Sequence, residues 1–284
     1  MYYVSPEQAL AIRSLMRDCG QQAKQMAEQG FKVFEKGVND YVTTADRALD
    51  QRLSAEFSAL FPKDGIVTEE NAQSRRDFHQ EGQRCWFIDP IDGTEDFIHA
   101  GSHYAVMVGL VEADVPVAGW IYAPAIERFY YGGKDWGLFQ IAGDRLPEAL
   151  IPTEPPPLSP DFCPIMIGDR DRNHFGDVLQ SAIPGITFQS LGSFGLKVME
   201  VVRGRAGLYI YLNRRVKLWD TTGPIALAKA AGLVCCDLEG KAFEFHADAV
   251  DGDTLTHHQT VVIGWQSYVD ALRVPIAKAV APLM

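Results

Sequence analysis

The chain lacks the marks of several broad classes. It has no basic run: Lys plus Arg number 26 against 37 Asp plus Glu, a formal charge of −11 over 284 residues. Such a surface offers no electrostatic footprint for a nucleic-acid polymer or an anionic membrane. A phosphate-bearing ligand would need a few placed cations instead. No apolar run approaches the roughly 18 residues of a spanning helix. Met1 to Leu10 has no basic stretch leading into an apolar core, so it does not read as a signal peptide. Cysteine is scarce and odd in number: Cys19, Cys85, Cys163, Cys235 and Cys236 form no C-x-x-C. The Cys235–Cys236 pair lies in an apolar stretch and reads as two small packed hydrophobes, which fits a reduced, cytoplasmic setting. The one H-x-x-x-H spacing, His99 to His103, is interrupted by Gly101-Ser102, and His257–His258 sit in a polar loop, which argues against a zinc site. Internal repeats are absent.

What remains is ordinary globular text, 47% apolar and 22% charged, long enough for one large domain or two. Ser5 and Pro6 open a helix that runs to Gln29 and stops at Gly30. Thr43 or Thr44 opens a second through Phe61, with Leu49, Leu53, Phe57 and Leu60 at helical spacing. Short strands follow at 66–67, 85–88, 105–111, 117–122, 129–131 and 137–141, punctuated by Gly, Pro and Asp as in a mostly antiparallel sheet. The Pro152–Pro157 run reads as a stiff connector. Beyond it strands (164–167, 187–191, 207–212, 261–265) alternate with helices (173–182, 193–203, 220–231, 268–280), which predicts an α/β half with a partly parallel sheet. The expected organisation is therefore an α+β half over 1–151, a connector over 152–160 and an α/β half over 161–284.

The chemistry concentrates in Trp86-Phe87-Ile88-Asp89-Pro90-Ile91-Asp92-Gly93-Thr94. An apolar strand delivers Asp89, a second carboxylate follows at Asp92, Gly93 permits close backbone approach and Thr94 stands where a short helix would begin. Hard cations want several oxygens, main-chain carbonyls among them, and a helix start offers N–H groups to a phosphate. The plainer reading is an acidic turn capping a helix. Two more acidic elements bear on the choice. Thr68-Glu69-Glu70-Asn71 ends a short strand, and Leu218-Trp219-Asp220-Thr221-Thr222-Gly223-Pro224 puts one acid at the start of an otherwise small, apolar helix. Taken singly, Glu69–Glu70 is a solvated turn and Asp220 an N-cap. Taken together with Asp89 and Asp92 they are the parts of a carboxylate cage for Mg²⁺.

On these residues the chain resembles the inositol monophosphatase superfamily of Mg²⁺-dependent, Li⁺-sensitive phosphatases. The Glu-Glu turn, the Asp-Pro-Ile-Asp-Gly-Thr string and the Trp-Asp motif occur in the family's order and spacing, and Val42-Thr43-Thr44-Ala45-Asp46 matches its upstream Val-Thr-x-x-Asp element. The resemblance implies a layered αβαβα sandwich and two or three Mg²⁺ ions, with Li⁺ as inhibitor. It assigns Glu69, Asp89 and the Ile91 carbonyl to the first ion, and Asp89, Asp92 and Asp220 to the second. Glu69 would also reach a third ion through water. Gly93 and Thr94 would give backbone N–H groups to the phosphate, and the Thr94 hydroxyl, oriented by Asp46, would act on the attacking water. The partner expected is a small-molecule phosphate ester; a homodimer is common in such enzymes. A haloacid-dehalogenase-type reading fails on spacing, since those aspartates stand two apart near the N-terminus and these stand three apart after 88 residues. A catalytically silent relative that only binds ligand is the other class, and phosphate release with and without Mg²⁺ separates it.

Substrate choice rests on other positions. Inositol phosphate hydrolases carry a Glu seven residues before the Trp-Asp acid, where this chain has Asn213. Their Gly-Ser-Ala-Ala-Leu-Asp run corresponds to Gly192-Ser193-Phe194-Gly195-Leu196-Lys197, which ends in a base. Together with Lys217-Leu218-Trp219-Asp220-Thr221-Thr222-Gly223-Pro224, these departures resemble the 3′(2′),5′-bisphosphate nucleotidases. The expected substrate is adenosine 3′,5′-bisphosphate, its second phosphate received by Lys197 with Arg170. An inositol-1-phosphate or sugar-phosphate monophosphatase is the alternative. Lys197 snorkelling from a helix face and Arg170 pairing with nearby acids are the ordinary structural roles.

Overall fold

Ser5 and Gln8 close the first helix, α1 (Pro6–Gln29), by a reciprocal pair: the Ser5 hydroxyl accepts from the Gln8 amide while the Gln8 side chain accepts from the Ser5 amide. Thr43 and Asp46 repeat the device at α2 (Thr44–Leu60). The computed structural model describes residues 3–37, 40–80 and 84–284. Between the two helices lies a hairpin, β1 (Val33–Gly37) with β2 (Asp40–Thr43), which the sequence reading did not anticipate. All five residues of β1 are exposed, so no apolar alternation announces it.

The first sheet comprises β3 (Gly65–Thr68), β4 (Cys85–Asp92), β5 (Ala105–Glu112), β6 (Val115–Ala123), β7 (Arg128–Gly133), β8 (Gly137–Ala142) and β9 (Glu148–Ala149), joined in that order, with the short helix α3 (Thr94–Ile98) after β4. Only the β3–β4 pair is parallel. Residues 150–158 form neither helix nor strand. The second sheet is built from β10 (Cys163–Ile167), β11 (Ile186–Gln189), β12 (Leu208–Tyr211), β13 (Val234–Cys236) and β14 (Val261–Gly264), in the order β11-β10-β12-β14-β13. Its first three strands run parallel and its last two pairings are antiparallel. Helices α4 (Asp169–Ala182), α5 (Phe194–Val202), α6 (Leu218–Ala230) and α7 (Gln266–Val280) connect and cover it.

Period-two alternation sorts the strands' side chains into three cores. Trp86, Ile88, Val106, Val108 and Leu110 pack under α1 and α2. Their alternates Phe87, Ala105, Met107 and Val111 meet α5 and α6, which also receive Met166, Tyr209, Val261 and Ile263 from the second sheet. Ile165, Ile167, Leu208, Ile210 and Val262 face the outer core with α4 and α7. The result is the αβαβα sandwich. Its central helix layer belongs to the later part of the chain yet is welded to the earlier sheet. A Cβ on Gly109 would lie 2.3 Å from the Gly223 nitrogen, and one on Gly119 2.2 Å from the Gly223 carbonyl oxygen. With glycine at all three positions, the α6 backbone rests directly on β5 and β6. That contact sets the height of Asp220 above the strand that carries Asp89 and Asp92.

Candidate active site

Asp89 and Asp92 are three residues apart, a spacing that in a regular strand would aim them at opposite faces. The β4 strand continues through both, longer than the segment expected to end at Ile88, and its register against β5 shifts between them: Asp89 is opposite Met107 and Asp92 opposite Ala105. This irregularity at Pro90–Ile91 resets the alternation and turns both carboxylates to one place. Asp220 joins them from the first turn of α6. Oxygens of Asp89, Asp92 and Asp220 all lie within 4.8 Å of one another.

Each of the three is held. Asp89 accepts from the Ile91 amide at 3.0 Å. Asp92 accepts from the Ser193 hydroxyl and from the amides of Phe194 (3.0 Å) and Gly195 (2.9 Å), so it caps the start of α5. Asp220 accepts from the Lys217 amide at 2.7 Å, satisfying the N–H at the start of α6. Burial and crowding push all three carboxyls upward. Asp89 is raised well above the carboxylate range by burial and by Glu69, Asp92 and Asp220. Asp220 is pushed up to about 7 by burial and by Asp92 and Glu69. Burial raises Asp92 too, opposed by its Ser193 bond, Lys197 and the two amides.

Beside the trio, Gly93 takes φ 90° as N-cap of α3, and a Cβ there would lie 3.0 Å from the Gly192 and Ser193 backbone. The position requires glycine. The Thr94 hydroxyl, with one proton to give, lies 3.2 Å from Asp46 Oδ1 and 3.0 Å from the Ile91 carbonyl. The other Asp46 oxygen accepts from the Thr43 amide and hydroxyl. Burial pushes Asp46 up to about 6 against those bonds.

Glu69 stands outside the trio. It shares Lys36 with Glu70: the ammonium lies 2.9 Å from Glu69 and 2.8 Å from Glu70. Lys36 is held above its ordinary range, the two glutamates outweighing burial, while Glu70 is pushed up to about 7 by burial and by Glu69. The sequence reading missed Lys36, which reaches the turn from the unannounced hairpin 33 residues upstream.

Gly93, Thr94, Glu69 and Asp220 line a cleft of about 920 Å³, and Arg170, Lys197, Asn213, Arg214, Arg215 and Lys217 line it too. Within that cleft the expected substrate residues have partners of their own. The Asn213 amide group donates to Asp171 at 3.0 Å and its oxygen accepts from the Arg215 amide at 3.2 Å, so both ends serve the turn. Lys197 is 5% exposed; its ammonium donates to the carbonyls of Leu191 (2.7 Å) and Gly192 (3.2 Å) and lies over the Tyr209 ring. To take the second phosphate, as expected from the sequence, Lys197 would have to leave these partners. A buried ammonium already shared between two carbonyls is a brace under the 191–193 turn. Arg170 lies exposed in the first turn of α4.

The family model for the inositol monophosphatase family matches residues 5–272. The chain belongs to that family. It is a phosphatase of phosphate monoesters, as the family's members are. Among relatives, it is 28% identical to a 3′(2′),5′-bisphosphate nucleotidase of Haemophilus influenzae over 88% of this chain and 90% of that one. It is 29% identical to an inositol-1-monophosphatase of Mesorhizobium japonicum over 81% and 82%. Its fold matches that of an IMPase/NADP phosphatase solved with Mg²⁺ and phosphate, with TM-score 0.75 and 20% identity over 96% and 95% of the two chains.

Proposed function

We propose that this phosphatase hydrolyses a small phosphorylated metabolite with Mg²⁺, and that its favoured substrate is adenosine 3′,5′-bisphosphate. The observation that carries the metal is the carboxylate trio of Asp89 and Asp92, both buried, with half-buried Asp220. Carboxylates this close repel one another and are each pushed toward the protonated form, a tension that a divalent ion relieves, and an all-oxygen donor set suits a hard one. Asp89, Asp92 and Asp220 would hold one Mg²⁺, and Glu69, Asp89 and the Ile91 carbonyl another; Glu69, bonded to Lys36 here, would give up that contact for the ion or reach a third through water. Li⁺ would inhibit by competing for these oxygens. Bound there, Mg²⁺ supplies Lewis-acid polarisation of the phosphoryl group and a more acidic water.

The protein's own groups do the rest. Gly93 and Thr94 present the start of α3 to the phosphate. The Thr94 hydroxyl orients the attacking water and relays its proton toward Asp46 Oδ1, a buried base whose position near 6 suits work at neutral pH. No covalent phospho-enzyme is required.

Asn213 in place of an acid, and the match to a bisphosphate nucleotidase over most of both chains, favour the nucleotide. An inositol or sugar monophosphatase is the second reading, favoured by the comparable identity to an inositol-1-monophosphatase. Five free, buried thiols support a reducing, cytoplasmic setting, and among the described residues no helix is long and apolar enough to cross a membrane. The test is kcat/KM on adenosine 3′,5′-bisphosphate, inositol 1-phosphate and fructose 1,6-bisphosphate, each with and without Mg²⁺. Preference for inositol 1-phosphate overturns the nucleotide, and activity without any divalent ion overturns the metal site.

A further inference from the structure

A bisphosphate brings a second dianion into a cleft whose protein carries a net charge of −11, so cations at the cleft must receive it. Lys197 is spent on two carbonyls. Lys217 lies over the Trp219 ring and 3.9 Å from Asp40. Arg214 and Arg215 differ. Both are exposed on the cleft, and neither has a carboxylate within 4.0 Å among the described residues.

The turn that carries them is anchored from below. Buried Asp171 accepts from the Leu212 amide at 2.7 Å and from the Asn213 side chain at 3.0 Å. Asn213 in turn accepts from the Arg215 amide. Arg214 sits at φ 53°, a left-handed conformation that a side chain disfavours and that glycine or asparagine would fill more easily. An arginine kept there, on a turn pinned by a buried carboxylate, points to work for the guanidinium. Its planar fork suits phosphate oxygens.

We propose that Arg214 and Arg215 together receive the phosphate that is not cleaved, and so select bisphosphate over monophosphate esters. This rests on the bisphosphate reading above and names the residues that would enforce it.

The experiment compares adenosine 3′,5′-bisphosphate with 3′-AMP, which offers the same scissile ester without the second phosphate, at saturating Mg²⁺. The variants are Arg214→Gly, which keeps the left-handed turn and removes the cation, Arg215→Ala, and both together. In the wild type the ratio of the two kcat/KM values favours the bisphosphate. The double variant is expected to lower that ratio roughly 10–100-fold, as charge-assisted contacts to one phosphate would, mainly through KM. Arg215→Lys should keep part of it. A wild-type preference that survives in the double variant overturns the arginine assignment alone. A wild type with no preference overturns the bisphosphate reading and the assignment with it.

Discussion

The two walls of the cleft are built on different principles. On one wall, Asp89 and Asp92 ride a central strand, Asp220 rides a helix whose backbone touches two glycines of the same sheet, and each carboxylate is fixed by main-chain amides. On the other, Asn213, Arg214 and Arg215 project from a surface turn whose anchor is one buried carboxylate, Asp171. The first wall is suited to holding a transition state to fractions of an ångström, and the second to being rewritten without disturbing the first. Chemistry common to a family belongs on the sheet, and substrate identity on the loops.

If that division holds, breaking the rigid wall removes activity on every substrate. Asp220→Asn and Asp92→Asn should each cut kcat/KM by more than the roughly 10–100-fold typical of losing a supporting contact to a metal ligand. The metal-free protein should gain stability, in a pH-dependent way. The Asp220 carboxyl is raised from 3.8 to about 7, so the folded state holds a proton the unfolded state releases. The stability linked to that proton is fully present below about pH 4 and is lost as pH rises to about 7. In EDTA, the Tm of Asp220→Asn should therefore match wild type near pH 4 and exceed it increasingly up to pH 7–8. A gap that does not change with pH would show that Asp220 is not crowded as the structure has it.

Next in size comes the proton path. Thr94→Ala should lower kcat about 100-fold or more with little change in KM, since the hydroxyl acts on the nucleophile and not on bound substrate. Thr94→Ser keeps the hydroxyl 3.2 Å from Asp46 in reach and should retain much of the rate. Equal kcat in alanine and wild type would reduce Thr94 to its bond with the Ile91 carbonyl.

The same division explains what could be read without coordinates. Each acid of the trio sits in a short string whose neighbours are apolar, small or helix-starting, so Asp89–Thr94 and Trp219–Asp220 announce themselves locally. The short continuous apolar runs of β5 and β14 likewise made the sheets legible. The bulge at Pro90–Ile91 did not show, because a register shift leaves no trace in composition; the strand seemed to end where it only turns. Lys36 was invisible for a different reason. Its hairpin is exposed throughout, and its partners lie 33 and 34 residues away. Lys197 was legible as a cation near a helix start, but only the structure gives its ammonium to Leu191 and Gly192. Arg214 and Arg215 carry no motif that singles them out; their φ and the Asp171 anchor appear only in the structure.

The fold itself can be probed where the rigid wall is seated. A methyl on Gly119 would stand 2.2 Å from the Gly223 carbonyl, and backbone cannot step aside as a side chain can. Gly119→Ala should cost about 1–3 kcal/mol of stability as overpacking, read as a lower Tm. The lifted helix carries Asp220 away from Asp89 and Asp92, so the Mg²⁺ concentration for half-maximal rate should rise as well. A loss of Tm with an unaltered Mg²⁺ requirement would mean that α6 yields elsewhere and that the glycine contact does not set the site.

The smallest effect expected is at Lys197, where the two walls meet. Lys197 is buried among Asp92, Asp171 and Tyr209, and burial holds it below its ordinary range while the surrounding acids work to keep its charge. Its bonds to the Leu191 and Gly192 carbonyls fix the turn from which Ser193 reaches Asp92. As a brace, it acts on the metal side of the cleft and is blind to what the substrate carries beyond the scissile ester. Lys197→Met keeps the length of the side chain and removes the ammonium. Loosening one supporting contact to a metal ligand should lower kcat/KM about 10-fold. The loss should be the same on adenosine 3′,5′-bisphosphate and on 3′-AMP, leaving their ratio at the wild-type value while Arg214→Gly with Arg215→Ala collapses it. A selective loss on the bisphosphate would instead mean that the ammonium leaves its carbonyls for the second phosphate, and the dividing line between the walls would then run behind Lys197 and not in front of it.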